Sequence, residues 1–553
     1  MFDGFPPEIK VEGGPLAGRY STLTDLSRAA LAVPPSKEGH RLWGIGLDEA
    51  FFMALREGIR PQMEFRPLAG VTRVHIAPRV QLADASPHLP ADVFEAHQGA
   101  DAAEMFGVLR EAREAIERGL HVSADAGIGA ATSAAAFGPW RLRYQVWGPE
   151  MYGPDDVETC RAAYHAGLAH VWHAGAVRAP GVEISNDPIW ADESPAVMPE
   201  GWRLLEYDRS SAYADDASGR LPDVCGPVVR DPAYLMDCAG GAIIRARVDL
   251  SGFRGVGFPI RVRIGVGMTR QVAARAGTWE GHWTSEILRW AAGRGARVEV
   301  LGGIGWVRGA RFLGPIMDRL YTLKEQAQKG SVPRAIYRAA IQRAVGRLGR
   351  APVDTVTLCG PDADAEIANP ASWPVKWRKI HGAAHGYFVA DPLEAPTTPP
   401  RYSIPPWPAF VVSRAWIRLH DRIEALAARG AWPMYCDTDG VLVACPPDAV
   451  MPDEHGMGGF RVKAEWLASE HRQHRQWIRV DQGGALKTQY AGVERHLQRA
   501  AFEGTPIVRT RSSAIVELSQ AMRAIPDRIG PVLRATADGV RKRKVYGRSA
   551  EEF

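Results

Sequence analysis

Met434-Tyr-Cys-Asp-Thr-Asp-Gly-Val-Leu-Val-Ala444 sets two apolar runs on either side of a four-residue Asp-Thr-Asp-Gly break. Apolar and β-branched residues interrupted by a short polar turn predict a β-hairpin. The hairpin holds Asp437 and Asp439 at or beside a tight turn, where they cannot separate. Two close carboxylates repel and raise each other's pKa unless a cation joins them. A hard divalent ion such as Mg²⁺, which prefers oxygen ligands, supplies that cation. The competing reading is an ordinary Asp-Gly turn, where acids are favoured anyway.

Working outward, Leu205-Glu-Tyr-Asp-Arg-Ser-Ser-Ala-Tyr213 ends a strand-like run on Asp208, with Ser211 and Tyr213 at fixed spacing. A strand-end aspartate is well placed to meet a hairpin-turn pair from a neighbouring strand. Its alternative is an Asx turn or a helix cap. Between these segments lies Arg334-Ala-Ile-Tyr-Arg-Ala-Ala-Ile-Gln-Arg-Ala-Val-Gly-Arg-Leu348. Helical periodicity places Tyr337, Ile341, Ala344 and Leu348 on one apolar stripe, with Arg334, Arg338, Gln342 and Val345 on an adjoining face. A buried stripe beside a cationic face suits a helix that holds a triphosphate over a core. A surface helix with solvated arginines gives the same pattern.

The chain has 553 residues, 46% hydrophobic and 24% charged, which fits a globular protein of two to four domains. No apolar run reaches the length of a membrane span, and the N-terminal residues lack a signal-peptide pattern, so a cytoplasmic address is expected. None of the six cysteines forms a Cys-x-x-Cys pair, which argues against a zinc ribbon or a disulfide framework. Net charge is only +4, but residues 331–350 carry five Arg and no acid, and residues 501–553 are also net basic. Such patches on a near-neutral chain suit a polyanion partner.

Helices are expected at 102–119, 283–294, 317–329, 334–348 and 414–429, strand-rich segments at 202–207, 241–268 and 298–301, and a surface loop over the Pro-rich 390–408. The overall class is α+β.

In order, the three segments resemble motifs A, B and C of family B DNA polymerases, most of all the organellar and viral branch that includes protein-primed phage enzymes. Asp208, Ser211, Ala212 and Tyr213 stand where that family has Asp-x-x-Ser-Leu-Tyr. Tyr435, Asp437, Thr438 and Asp439 match Tyr-x-Asp-Thr-Asp-Ser, with Gly440 in the place of its Ser. A chance match to four fixed residues arises about once per 10⁵ positions. The central motif departs further: Arg338, Gln342, Val345 and Gly346 occupy the places of Lys, Asn, Tyr and Gly. Arg for Lys keeps the charge and changes the donor geometry, and Val345 removes an aromatic from the nucleotide pocket.

Arg161-Ala-Ala-Tyr164-His-Ala-Gly167 resembles the family's Tyr-x-Gly-Gly loop, and Leu486-Lys-Thr-Gln-Tyr490 its Lys-x-Tyr motif with one extra residue. Ser285 to Trp306 looks like the family's segment between motifs A and B, so the resemblance covers roughly residues 130–500.

The resemblance implies a right-hand polymerase with palm, fingers and thumb. The expected division is an N-terminal domain at 1–130, reduced or degenerate and exonuclease-like; a connector with the template-contacting loop at 131–200; palm with an insertion at 201–320; fingers at 321–350; an insertion and return to the palm at 351–430; palm again at 431–500; and thumb at 501–553. It implies Asp208, Asp437 and Asp439 as catalytic and metal residues for two Mg²⁺ ions, with Mn²⁺ as a substitute. Asp208 and Asp439 would bridge the ions and Asp437 support them.

Ser211, Tyr213, Lys324, Arg338 and Gln342 are implied as nucleotide-binding, Tyr213 excluding a 2′-hydroxyl. Arg161, Tyr164, Gly167, Tyr435, Thr438, Lys487 and Tyr490 are implied as DNA-contacting, Lys487 at the primer end. The partners implied are primer–template DNA, dNTPs and a terminal protein or other primer source.

The first 120 residues depart from the family. No Asn precedes position 186, Asp48-Glu49 lacks the residue between its acids, and Tyr152-Gly-Pro-Asp-Asp156 matches an exonuclease pattern only by chance. Absence of proofreading is therefore expected. A non-catalytic DNA-binding relative is the runner-up. A reverse transcriptase is disfavoured because Thr438 separates the aspartates, and a Rossmann domain because Gly127-Ile-Gly129 never completes its glycine pattern.

Overall fold

The computed structural model describes residues 102–121, 152–165, 169–182, 195–264, 276–349, 404–473 and 475–490 almost without interruption, with shorter pieces, mainly single strands, elsewhere. The fold is α+β. Its centre is a sheet in the order Leu486–Tyr490, Gln476–Asp481, Phe460–Gln473, Arg203–Arg209, Gly440–Cys445, Trp432–Asp437, Ala169–Val171, with Gly175–Arg178 also paired to the long Phe460–Gln473 strand. The strand that ends beyond Asp208 thus sits inside the sheet, between Phe460–Gln473 and Gly440–Cys445. It is antiparallel to Gly440–Cys445 on one side and to Phe460–Gln473 on the other.

Period-two alternation divides the Arg203–Arg209 strand between two faces. Leu205 and Tyr207 are fully buried with Val441, Val443 and Cys436 against Leu419, Ile423 and Leu426 of a helix that covers the sheet. Leu204 packs on the opposite face with Leu442, Ala444, Met434 and Tyr435. Glu206 and Asp208 share that second face.

The covering helix spans Pro406–Ala428. It begins eight residues before the expected start, inside the segment read from its prolines as a loop. Proline fits the first turn of a helix, where its missing N–H has no partner to lose. Pro406, Trp407 and Pro408 are buried there, and Trp407 Nε1 donates to Pro222 O at 2.8 Å.

The other expected helices form at Ala102–Leu120, Ser285–Ala292, Gly314–Gln326 and Val332–Leu348. The stripe of Tyr337, Ile341, Ala344 and Leu348 is buried, as its spacing predicts. Val345 is buried too, in the same core, so it faces away from the cationic side on which it was placed.

A second, four-stranded sheet is ordered Val228–Val229, Arg297–Trp306, Ala242–Asp249, Thr278–Thr284, and Ile260–Ile264 pairs separately with Arg270–Ala274. The expected connector at 131–200 contributes strands to the central sheet. Val356–Cys359, expected in an insertion, pairs with Gln62–Arg66 of the N-terminal region. Gly167, the side chain of Tyr490 and nearly all of the expected thumb lie outside the described residues. Tyr152-Gly-Pro-Asp-Asp156 opens the helix Pro154–Ala162. Tyr152 is buried with its hydroxyl donating to Val224 O, and Asp156 pairs with Arg230 at 2.8 Å.

Candidate active site

The strands Trp432–Asp437 and Gly440–Cys445 are joined through Thr438 and Asp439, with Asp437 opposite Gly440. Gly440 is in turn opposite Asp208 on the central strand. Facing residues in antiparallel strands have Cα atoms about 4.5–5.5 Å apart. The register therefore brings three acids from distant parts of the chain to one end of the sheet, with Asp208 and Asp437 on the two sides of Gly440. Arg209 N donates to Asp439 O at 3.1 Å and closes the corner.

These residues open on a cleft of about 750 Å³. Asp208, Ser211, Tyr213, Lys324, Arg338, Gln342, Tyr435, Asp437, Thr438 and Asp439 all line it. Every residue expected to bind nucleotide is thus on its wall. Lys324 Nζ donates to Ser211 Oγ at 2.7 Å, pairs with Glu325 at 2.9 Å and lies over the Tyr321 ring. The remaining expected DNA contacts are elsewhere. Arg161 ends a helix and Tyr164 packs beneath Gly349. Lys487 is half-exposed at the sheet edge beside Asp481, at 3.5 Å. None of the three lines the cleft.

The acids differ in environment. Burial, and then the nearby Asp208 charge, push the Asp439 carboxyl up to about 7. No hydrogen bond to that carboxylate forms among the described residues. Burial also raises Asp208, partly offset by Lys463, whose Nζ is 3.6 Å away. Against the opposing effect of its own burial, Lys463 is held above its usual range by Glu206 and Asp208. Asp437 instead accepts from Arg475, Thr438 Oγ1 at 2.9 Å and Tyr435 OH at 3.3 Å.

Sequence reasoning missed Glu206, Lys463, Arg475, Trp477, Arg479 and Gln489, which also line the cleft. Arg479 is buried, donates to Glu206 at 2.6 Å and lies over the Trp477 ring. The available signal was alternation: Arg461 with Lys463, and Trp477 with Arg479, are spaced for one face of a strand.

Four non-glycine residues among those described have positive φ: His121, Ser211, Thr438 and Arg475. The last three all line this cleft. Left-handed backbone is costly for such residues, for a β-branched threonine above all, and persists where the surroundings impose it.

Among the described residues no group of three or more His, Cys, Asp or Glu is gathered tightly enough to close around an ion. Asp208 and Asp439 still offer two carboxylates to one cleft end. The upward displacement of Asp439, from burial first and the Asp208 charge second, is one that a bound cation would oppose. The donor set fits a hard divalent ion that keeps several waters. No described helix is long and apolar enough to cross a membrane.

No protein-family model matches the chain, and no curated protein sequence does. Solved structures do. The chain is similar to Phi29 DNA polymerase complexed with primer–template DNA, with a TM-score of 0.59 and 13% identity over 89% of this chain and 90% of that one. The same values hold against Phi29 DNA polymerase complexed with primer–template DNA and incoming nucleotide substrates. Against that polymerase complexed with single-stranded DNA the TM-score is 0.57 at 12% identity, over 89% and 90% of the two chains. The protein therefore has the fold of Phi29 DNA polymerase, a protein-primed family B enzyme, as the motif resemblance implies.

Proposed function

We propose that the protein is a template-directed DNA polymerase that adds dNTPs to a primer 3′-hydroxyl, serving phage or mobile-element replication without proofreading. The observation that carries this reading is the strand register that sets Asp208 beside the Asp437–Asp439 turn, facing Lys324, Arg338 and Gln342 across one cleft. A pure binding module gains nothing from acids gathered beside phosphate. An acid pair opposite a cationic wall is what phosphoryl transfer requires.

Asp208 and Asp439 would hold two Mg²⁺ ions, with Asp437 behind them. When bound, such ions lower the pKa of the attacking hydroxyl and offset charge on the leaving group. The protein's own groups do the rest. Lys324, fixed by Ser211, and Arg338 on the helix Val332–Leu348 offset triphosphate charge. Gln342, one turn on from Arg338, hydrogen-bonds the same substrate. The half-buried Tyr213 closes the pocket under the sugar. Lys487 and the edge strand that carries it meet the primer, and Arg161 and Tyr164 the template.

Primer extension tests the proposal. The full chain with Mg²⁺, a 5′-overhang DNA template, primer and dNTPs should extend the primer, and Asp439→Asn should lose at least about a thousandfold in rate, the scale of a lost electrostatic anchor at a reaction centre. A mismatched 3′ end should not be trimmed. Binding of primer–template by wild-type protein with no extension under any divalent ion would support the second reading, a non-catalytic DNA-binding relative. Burial of Val345 away from the cleft favours that alternative to a small degree, since it leaves the pocket without an aromatic at that place.

A further inference from the structure

The cleft contains an arginine that the polymerase reading does not use. Arg475 occupies the turn between Phe460–Gln473 and Gln476–Asp481, with a left-handed φ of 57°. Its Nε donates to both carboxylate oxygens of Asp437, at 3.2 and 3.0 Å, and its Nη2 to Oδ1 at 2.9 Å. Nη2 also reaches Thr438 Oγ1 at 3.3 Å. With the Thr438 and Tyr435 hydroxyls, Asp437 accepts from four donors, the Arg475 Nε–H being shared between its two oxygens. A carboxylate has about four lone-pair sites, so none remains for a cation unless a donor leaves.

Asp208 and Asp439 are in the opposite condition. The described residues give Asp439 no donor, and Asp208 has only the Lys463 ammonium at 3.6 Å. Lys463 is itself shared with Glu206 at 3.1 Å, and Glu206 is already neutralised by Arg479. Two of the four acids at this end of the cleft thus each have an arginine. The other two have no arginine fork: they share Lys463 with Glu206 and feel Arg461, at Asp208, and Arg209, at Asp439, only at longer range, so the less compensated negative charge sits on Asp208 and Asp439.

We propose that Arg475 is the standing counter-cation of Asp437 and, by occupying its carboxylate, holds Asp437 out of divalent-ion binding in the cleft. Arg475 is then a positioning residue. It ties the catalytic hairpin to the neighbouring strand turn, and two strained backbones, at Thr438 and Arg475, meet at this one ion pair. A fork-to-carboxylate pair is directional and holds both partners in plane. The inference rests on the divalent-ion part of the proposed function and adds to it the residue that keeps Asp437 off the ions.

The test is Mn²⁺ binding to the full chain without DNA or nucleotide, read from the electron paramagnetic resonance signal of free Mn²⁺. Asp439→Asn should weaken binding by about tenfold or more, as loss of a ligand charge does. Asp437→Asn should change it by less than about twofold. Arg475→Gln releases the Asp437 carboxylate and should tighten binding several-fold, while the Arg475→Gln/Asp437→Asn double variant returns it to the wild-type level. Arg475→Lys, which keeps the charge and loses the fork, should fall between wild type and Arg475→Gln. Melting curves identify any variant that fails to fold, and Arg475→Lys then replaces Arg475→Gln in the comparison.

The proposal is overturned if Asp437→Asn weakens Mn²⁺ binding as much as Asp439→Asn, if Arg475→Gln leaves it unchanged, or if the wild type binds no Mn²⁺. The expected Mn²⁺ pattern together with no primer extension would sink the polymerase reading and leave the role of Arg475 standing.

Discussion

Tyr213 shows how one side chain carries a function out of a local motif. It follows Ser211, whose left-handed backbone starts the short helix Ala212–Ser218, and its ring reaches the cleft. Burial raises its phenol pKa, partly offset by Arg261, so the hydroxyl stays protonated at any working pH. The role proposed for it under the sugar would therefore be steric and hydrogen-bonding, with no charge involved. Tyr213→Ala should raise the ratio of ribonucleotide to deoxyribonucleotide incorporation by about tenfold or more, equivalent to about 1.4 kcal/mol of lost discrimination. Competition between an rNTP and its matching dNTP in single-turnover extension measures the ratio, and an unchanged ratio removes the assignment. Tyr213 and the three aspartates were legible because each lies within a few residues of its motif partners. Lys463 and Arg475 were not, since nothing in their own neighbourhood in the sequence points to Asp208 or Asp437. They reach those acids only through cross-strand register and a turn.

The helix Pro406–Ala428 makes the corresponding point for an element. Its apolar periodicity was legible from residue 414 onward, but its first turn was hidden by prolines whose local preference is outweighed by burial of Trp407. The helix also buries a histidine that no motif marks. His420 is fully buried against Trp416 and near Trp172 and Trp290, and its Nδ1–H donates to Trp416 O at 2.9 Å. Burial lowers its pKa to about 3, with Arg261, His170 and Arg294 adding positive charge in the same direction. The folded state thus refuses a proton that the unfolded chain takes up below about pH 6.5. Since the unfolded state binds more protons there, stability rises with pH. The contribution of His420 is complete above that value and is lost progressively as pH falls from about 6.5 towards 3. His420→Gln removes the titration. Urea midpoints of the variant should fall less between pH 6.5 and 4 than those of the wild type, whatever their offset at neutral pH. Parallel curves would mean that another group sets the acid limit.

Across the whole molecule, the central sheet is assembled from segments near residues 170, 205, 440 and 465–490, and no local pattern states that order. Charge behaves in the same way. A net charge of +4 over 553 residues says little, yet the cleft gathers Arg338, Arg461, Lys463, Arg475 and Arg479 around its acids. Three of these cations pair with Glu206, Asp208 or Asp437, so much of the local positive charge is balanced inside the cleft, and the field offered to a polyanion is the sum over the whole basic wall. Binding of primer–template DNA should therefore remain salt-dependent without any divalent ion. A plot of log K against log[KCl] in EDTA should have a slope of about −3 or steeper, corresponding to three or more phosphates at about −0.9 each. Fluorescence anisotropy between 50 and 200 mM KCl, a range the counterion argument treats as roughly linear, gives that slope. Arg461→Ala should reduce it by about one phosphate contact, because Arg461 lines the cleft and touches its acids only through a longer-range attraction to Asp208, with no ion pair among the described residues. A slope near zero would mean that the cleft's acids cancel its cations, and the basic wall would then have to be read as internal charge balance with no duplex-binding role.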